Sequence, residues 1–207
     1  METEEEQVEK LKDWLKENGL SIVFGIIIGV GGIAGYKYWV QVQETTAAKA
    51  SDHFTQMIDA LSAENGEGLQ EQADMLITEY ASTDYALMAH LTLARQHVAN
   101  AEFDKAEAAL QQVVGSAGQR PLAYIARTRL AAVQLQTGQY DQALTTLSVE
   151  FPDEFAAITN ELRGDILALQ GKGGEAAEAY RKAQSSVPAP ANVEFLQRKL
   201  NDLGITS

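Results

Sequence analysis

The sequence predicts an all-α protein: a transmembrane helix near the N-terminus, then a solenoid of helical hairpins, then a C-terminal capping helix. Three observations carry that prediction. From Leu20 to Tyr36 no side chain is charged. Beyond that run alanine is abundant, proline is scarce, and apolar residues recur at helical rather than alternating spacing. Finally, three downstream stretches align with one another, each reading as a helix, a tight turn and a second helix.

The first element is the apolar run, which exits through Lys37, Tyr38 and Trp39. A helix rising about 1.5 Å per residue needs about 20 residues to cross a bilayer core, and its backbone satisfies its own hydrogen bonds there. Residues 20–40 are therefore expected to be a transmembrane helix, residues 1–19 a leading segment, and residues 41–207 a separate domain. A cleaved signal peptide fits poorly. Such a leader wants a basic start, a shorter apolar core and small residues at the cut. Here the preceding residues are acidic overall, and the exit carries Tyr36, Tyr38 and Trp39, rings suited to the headgroup layer.

Within the span, Gly25 and Gly29, and again Gly31 and Gly35, sit four apart. That spacing leaves a flat strip on which a second membrane helix can pack closely, although glycine is also common in membrane helices without such a role. A dinucleotide-binding loop is rejected, because that fingerprint must follow a strand and open a soluble helix. Lysines near the span number three before it (Lys10, Lys12, Lys16) and two after it (Lys37, Lys49), so charge only leans toward a cytoplasmic N-terminus. Val8, Leu11, Trp14 and Leu15 share a helical face, as in a helix lying along a membrane surface or leading into the anchor.

Residues 41–207 hold 22 acidic against 12 basic side chains, a net charge of −10. Such a surface repels phosphates, which argues against nucleic acid and anionic lipid heads as partners of this domain. Membrane lipid is expected only around the anchor. With no cysteine there is no disulfide, thiol nucleophile or thiolate metal site.

The repeats begin at Leu93, Leu130 and Arg163 and end at Leu110, Leu147 and Tyr180. In each, a small residue (Ala94, Ala131, Gly164) precedes an alanine (Ala106, Ala143, Ala176) across a polar turn, and a large apolar residue follows four positions later. Two antiparallel helices approach closely only where small side chains face each other, and the large residue fills the space beyond. In stacks of this kind the first helix of each pair lines a concave side. The expected groove positions are Met88, Leu91, Arg95 and Val98, then Ile125, Thr128, Ala132 and Leu135, then Ile158, Glu161, Asp165 and Ala168. That surface is half apolar, which suits an apolar peptide segment or a partner helix unless the chain's own closing helix or its upstream helix pair fills it.

Upstream, Ala47–Ala63 and Leu69–Tyr80 form a further expected pair, broken at Asn65-Gly66. Ser82, Thr83 and Asp84 offer caps for the helix at Tyr85. Downstream, Asn192 is expected to cap a closing helix to about Asp202, with Val193, Leu196, Leu200 and Leu203 facing inward.

No pattern supports catalysis, a cofactor or a metal. His90 and His97 lie seven apart with no third ligand placed by sequence. Gly171-Lys172-Gly173-Gly174 lacks the leading glycine and the Lys-Ser/Thr pair of a phosphate loop. The carboxylates are spread as solvated helix faces.

The small and large positions resemble those of the tetratricopeptide repeat, whose period is about 34 residues. Pro188 falls where that family often places a proline. Arg163 in place of leucine and Gly173 in place of the aromatic of Phe103 and Tyr140 depart from the pattern, and the link between the first two units is long. The whole order also resembles the YfgM family. The residues concerned are Glu17-Asn18-Gly19 before the span, Gly29-Val30-Gly31 within it, Tyr38-Trp39 at its exit, and Leu93-Ala94 with Ala106 to Leu110. That resemblance implies an ancillary subunit of the bacterial SecYEG translocon, anchored in the inner membrane with its N-terminus cytoplasmic and its repeat domain periplasmic. It implies as partners the translocon, a membrane-anchored periplasmic chaperone of the prolyl-isomerase type, and secretory client proteins. The alternatives are a scaffold of another envelope assembly and a client-holding chaperone.

Overall fold

The computed structural model describes residues 4–118, 120–186 and 190–204. All of its regular elements are helical: α1 (Glu4–Ser62), α2 (Gly66–Glu79), α3 (Asp84–Ala99), α4 (Phe103–Ser116), α5 (Pro121–Gln136), α6 (Tyr140–Thr146), α7 (Ala156–Leu169), α8 (Gly173–Ser185) and α9 (Pro190–Asp202), with a 3₁₀ turn at Asp153–Phe155. Two units divide the chain, one ending at Lys49 and the other beginning at Ala50.

The first unit is the leading part of α1. Every residue from Leu20 to Trp39 is exposed, and this is the one helix among the described residues long and apolar enough to cross a membrane. The glycine strip is open, since a Cβ at Gly25, Gly29, Gly31 or Gly35 would meet nothing. Tyr36 and Trp39 lie with ring centroids 6.2 Å apart at the exit. The first upstream helix, expected to begin at Ala47, has no start of its own: neither proline nor glycine occurs between Tyr36 and Ser62, so nothing there stops α1.

The second unit is a stack of four helix hairpins: α1 from Ala50 with α2, then α3 with α4, α5 with α6, and α7 with α8. The same device makes every turn. Glu64, Ala101, Gly138 and Gly171 all adopt positive φ, between 55° and 76°. In each case the next amide donates back across the helix end: Asn65 to Ala60, Glu102 to His97, Gln139 to Gln134 and Lys172 to Leu167, at 2.8–2.9 Å. This is the left-handed termination that glycine adopts freely and other residues adopt at a cost of about 1 kcal/mol. Ala101→Gly is therefore expected to stabilise the domain by about 0.5–1 kcal/mol in urea unfolding, a change of sign opposite to glycine substitution in a helix interior.

The small residues lie at the crossings. Ala94, Ala106, Ala131, Ala143, Gly164 and Ala176 are all buried, and a Cβ on Gly164 would overlap the ring of Tyr180. Beyond each crossing, Leu110, Leu147 and Tyr180 anchor separate core clusters. Between hairpins, buried Gln134 donates to Glu107 (3.0 Å) and accepts from Thr146 (2.8 Å), tying α4, α5 and α6 together. The upstream pair is held by Met57, Leu69, Ala73 and Leu76, and by His53 hydrogen-bonded to Gln72 at 2.8 Å.

Several local features differ from expectation for clear reasons. Thr83 stands at the N-cap of α3, but its hydroxyl donates to the Tyr80 carbonyl (2.8 Å) rather than capping α3. The departure at Arg163 is a cap: its guanidinium donates to the Leu147 carbonyl at 3.1 Å, just past the end of α6. Helix α6 is short because Pro152 follows soon after, and the space is filled by Tyr124, Phe151 and Phe155, whose ring centroids lie 5.5–6.2 Å apart. The long link before α5 is organised by Arg120, which pairs with Asp84 and donates to the Ala117 carbonyl. Helix α9 starts at Pro190, so Asn192 lies inside it and not before it; proline suits a first helical position because its missing N–H has no partner to lose there. Pro188 lies outside the described residues. Leu196 and Leu200 of α9 are buried against Leu167, Ala176 and Tyr180, closing the stack.

Candidate binding site

The expected groove positions divide into three groups. Leu91 and Thr128 are buried; Leu91 belongs to the core between α3, α4 and α5, and the Thr128 hydroxyl donates to the Ile125 carbonyl (2.9 Å). Met88 and Ile125 are half-buried, while Ile158 is exposed. Arg95, Val98 and Ala132 come together at the rim of a cleft of about 560 Å³ between α3 and α5.

That cleft is built from three helices. Helix α3 supplies Ala94, Arg95 and Val98; α4 supplies Phe103 and Leu110. Helix α5 supplies Arg129, Ala132, Val133 and Gln136. The floor is apolar, because Leu110 and Ala94 belong to the crossing of α3 with α4. Arg129 was not among the expected residues: its repeat-equivalent is Thr92, a position not assigned to the groove.

The third unit differs. Lys199 of α9 donates to Glu161 (2.7 Å) and to both carboxylate oxygens of Asp165 (2.7 and 2.8 Å). Tyr180 donates to the same Asp165 at 2.7 Å. Burial acts to lower the Lys199 pKa, but its hydrogen bonds to the Asp165 and Glu161 carboxylates outweigh it and hold the ammonium above its usual range. Burial, reinforced by Asp165, also keeps the Tyr180 phenol protonated well past its ordinary value. The two acidic groove positions are thus occupied by the chain itself. Each partner in this cluster is at most a third exposed. Lys199→Ala, which strands two carboxylates, is expected to cost about 2 kcal/mol. Amide exchange along α9 will report it; protection unchanged from wild type would show that apolar packing alone seats the helix.

The histidines serve structure. His97 bonds Glu102 at 2.7 Å beside Lys105, and these two partners hold the Glu102 carboxyl below its usual range, Lys105 foremost. Burial lowers the pKa of His90, so it stays neutral near pH 7. Among the described residues no group of three or more His, Cys, Asp or Glu is placed to hold a metal ion.

Stacked helix hairpins with a cleft on their first helices, carried behind a membrane-length helix, define a tetratricopeptide-repeat-like anchored protein; a family described as a tetratricopeptide repeat-like domain matches residues 12–205. The chain is 35% identical to a protein named ancillary SecYEG translocon subunit in Escherichia coli (strain K12), over 99% of this chain and 98% of that one. It is 33% identical to the protein of the same name in Haemophilus influenzae and 32% identical to that in Aggregatibacter actinomycetemcomitans, each over 97% of both chains. The chain belongs to this YfgM-type family of ancillary SecYEG translocon subunits.

Proposed function

We propose that this chain is a non-enzymatic adaptor anchored by residues 20–40 in the bacterial inner membrane, with residues 1–19 cytoplasmic and residues 41–207 periplasmic. It binds the SecYEG translocon and helps pass emerging secretory proteins to periplasmic chaperones, a membrane-anchored prolyl-isomerase-type chaperone among them. The carrying observation is that an open, apolar-floored cleft is fixed on a repeat domain whose relatives bear the translocon's name along their full length. Tethering confines the domain near the pore, so that a weak cleft suffices for capture. The strip of Gly25, Gly29, Gly31 and Gly35 is the surface for a helix of the translocon within the bilayer.

A photoreactive residue replacing Val98 or Ala132 tests the reading in intact membranes. Crosslinks to translocon subunits or to periplasmic chaperones support it. Crosslinks confined to another envelope complex would favour the scaffold alternative, and crosslinks to unfolded secretory chains alone would favour client holding.

A further inference from the structure

We infer that the cleft between α3 and α5 selects an acidic–apolar polypeptide segment: a large apolar side chain enters the cleft, and flanking carboxylates pair with Arg95 and Arg129. This rests on the reading of the cleft as a protein-binding surface and names the chemistry it recognises.

Two arginines, Arg95 and Arg129, give the cleft its charge. Both are exposed, both line the cleft, and neither has a hydrogen bond, ion pair or ring contact among the described residues. Lys105, Arg120, Arg163 and Lys199 are engaged within the domain, whereas Lys49, Arg127, Lys172, Arg181 and Lys182 have no side-chain partner among the described residues either, so what distinguishes Arg95 and Arg129 is their place together on the lining of one apolar cleft. Two guanidiniums on the lining of one apolar cleft, with no anion among the described residues paired to either, make that cleft complementary to a ligand that brings negative charge. The cleft's other lining is apolar apart from Gln136, so the ligand must offer both an apolar group and negative charge.

Guanidinium pairs with carboxylate through two parallel hydrogen bonds, a geometry that a single lysine cannot match. Because Arg95 and Arg129 come from different helices, they bracket the cleft and favour a segment with carboxylates on both sides of its apolar residue. The domain's overall charge of −10 works against acidic ligands at long range, but screening confines that repulsion to about 8–10 Å at physiological salt. Local pairing decides once the segment is seated. The same net charge disfavours an anionic bilayer, which presents many charges at once, and a second copy of this chain, whose formal charge is −13.

The test uses the full-length chain in an uncharged detergent and three labelled peptides with one Leu-Phe-Leu core, flanked by glutamates, by glutamines or by lysines. Fluorescence anisotropy reads the affinities. The glutamate peptide is expected to bind about tenfold more tightly than the glutamine peptide, and the lysine peptide least. In Arg95→Gln with Arg129→Gln the glutamate preference falls to about one while all three peptides still bind, a pattern that misfolding does not produce. Val98→Asp with Ala132→Asp weakens all three.

Equal affinity for the glutamate and glutamine peptides, or tighter binding of the lysine peptide, overturns the acidic selectivity; loss of that binding in Val98→Asp with Ala132→Asp leaves the cleft itself intact as a binding surface. A glutamate preference that survives the double arginine change also overturns it, because the anion then binds elsewhere. Displacement of the glutamate peptide by soluble short-chain phosphatidylglycerol, or concentration-dependent dimerisation blocked by Val98→Asp, overturns the peptide assignment in favour of lipid or of a second copy. Absence of binding by all three peptides overturns both the selectivity and the cleft reading.

Discussion

Gly164→Leu will lower the stability of the repeat domain by about 2–3 kcal/mol. The position lies where α7 crosses α8, and even a Cβ there overlaps the Tyr180 ring. Two effects oppose. Replacing glycine inside a helix gains about 1 kcal/mol of propensity, whereas forcing a larger side chain into a packed crossing costs about 1–3 kcal/mol and sometimes more. Overlap wins here because Tyr180 cannot step aside: it is buried against Leu167, Ala176, Leu196 and Leu200, and its hydroxyl is bonded to Asp165. Tyr180→Ala by itself is also destabilising, by about 3–5 kcal/mol. The two changes combined will be less harmful than their sum by about 1–2 kcal/mol, since the leucine then enters the space the ring leaves. Urea unfolding followed by far-UV ellipticity measures all four chains. Simple additivity would mean that the two residues do not meet.

Leu147→Ala will cost about 3–4 kcal/mol, although Leu147 lies just beyond the last residue of its helix. Its side chain is fully buried (0% exposed) among Ala131, Ala143 and Ile166. Truncation removes the transfer energy of the lost methyl groups and leaves a cavity. Helix α6 has only seven residues, too few to persist without tertiary packing, so amide protection across Tyr140–Thr146 will fall first. Leu169→Ala is the control: the same chemical deletion at a side chain 61% exposed will shift stability by no more than about 0.5 kcal/mol. Equal losses at the two sites would contradict the assignment of core and surface.

The contrast between Leu147 and Leu169 also shows what a sequence can and cannot reveal. Local spacing carries the hairpins: alanine or glycine at each crossing, a large residue four positions on, and a short polar turn between, so three units were legible. The turn of the upstream pair is expected at Asn65-Gly66, since asparagine and glycine favour the left-handed conformation, and it falls one residue earlier, at Glu64, a residue type that gives no such signal. Arg163 looked like a defect in the repeat until its bond to the Leu147 carbonyl made it a cap. The pairing of Lys199 with Glu161 and Asp165 spans 38 and 34 positions and depends on how α9 docks, which no local spacing encodes. At the cleft, repeat register placed Arg95, Val98 and Ala132 on one surface, yet it also put Leu91 and Thr128 there, which are buried. Periodicity finds a helix face; it does not decide how deeply a neighbouring helix covers each turn of it. Arg129 was missed for the same reason, since its side chain reaches the cleft from a register that its counterpart Thr92 does not use.

The adaptor role is tested most directly by recovering the full-length chain from gently solubilised membranes and identifying what accompanies it. The account predicts that SecYEG subunits co-purify with it, and that a chain lacking residues 1–40 but directed to the same compartment loses most of that association. Clean recovery of the intact, membrane-inserted chain with no translocon subunit attached would contradict it.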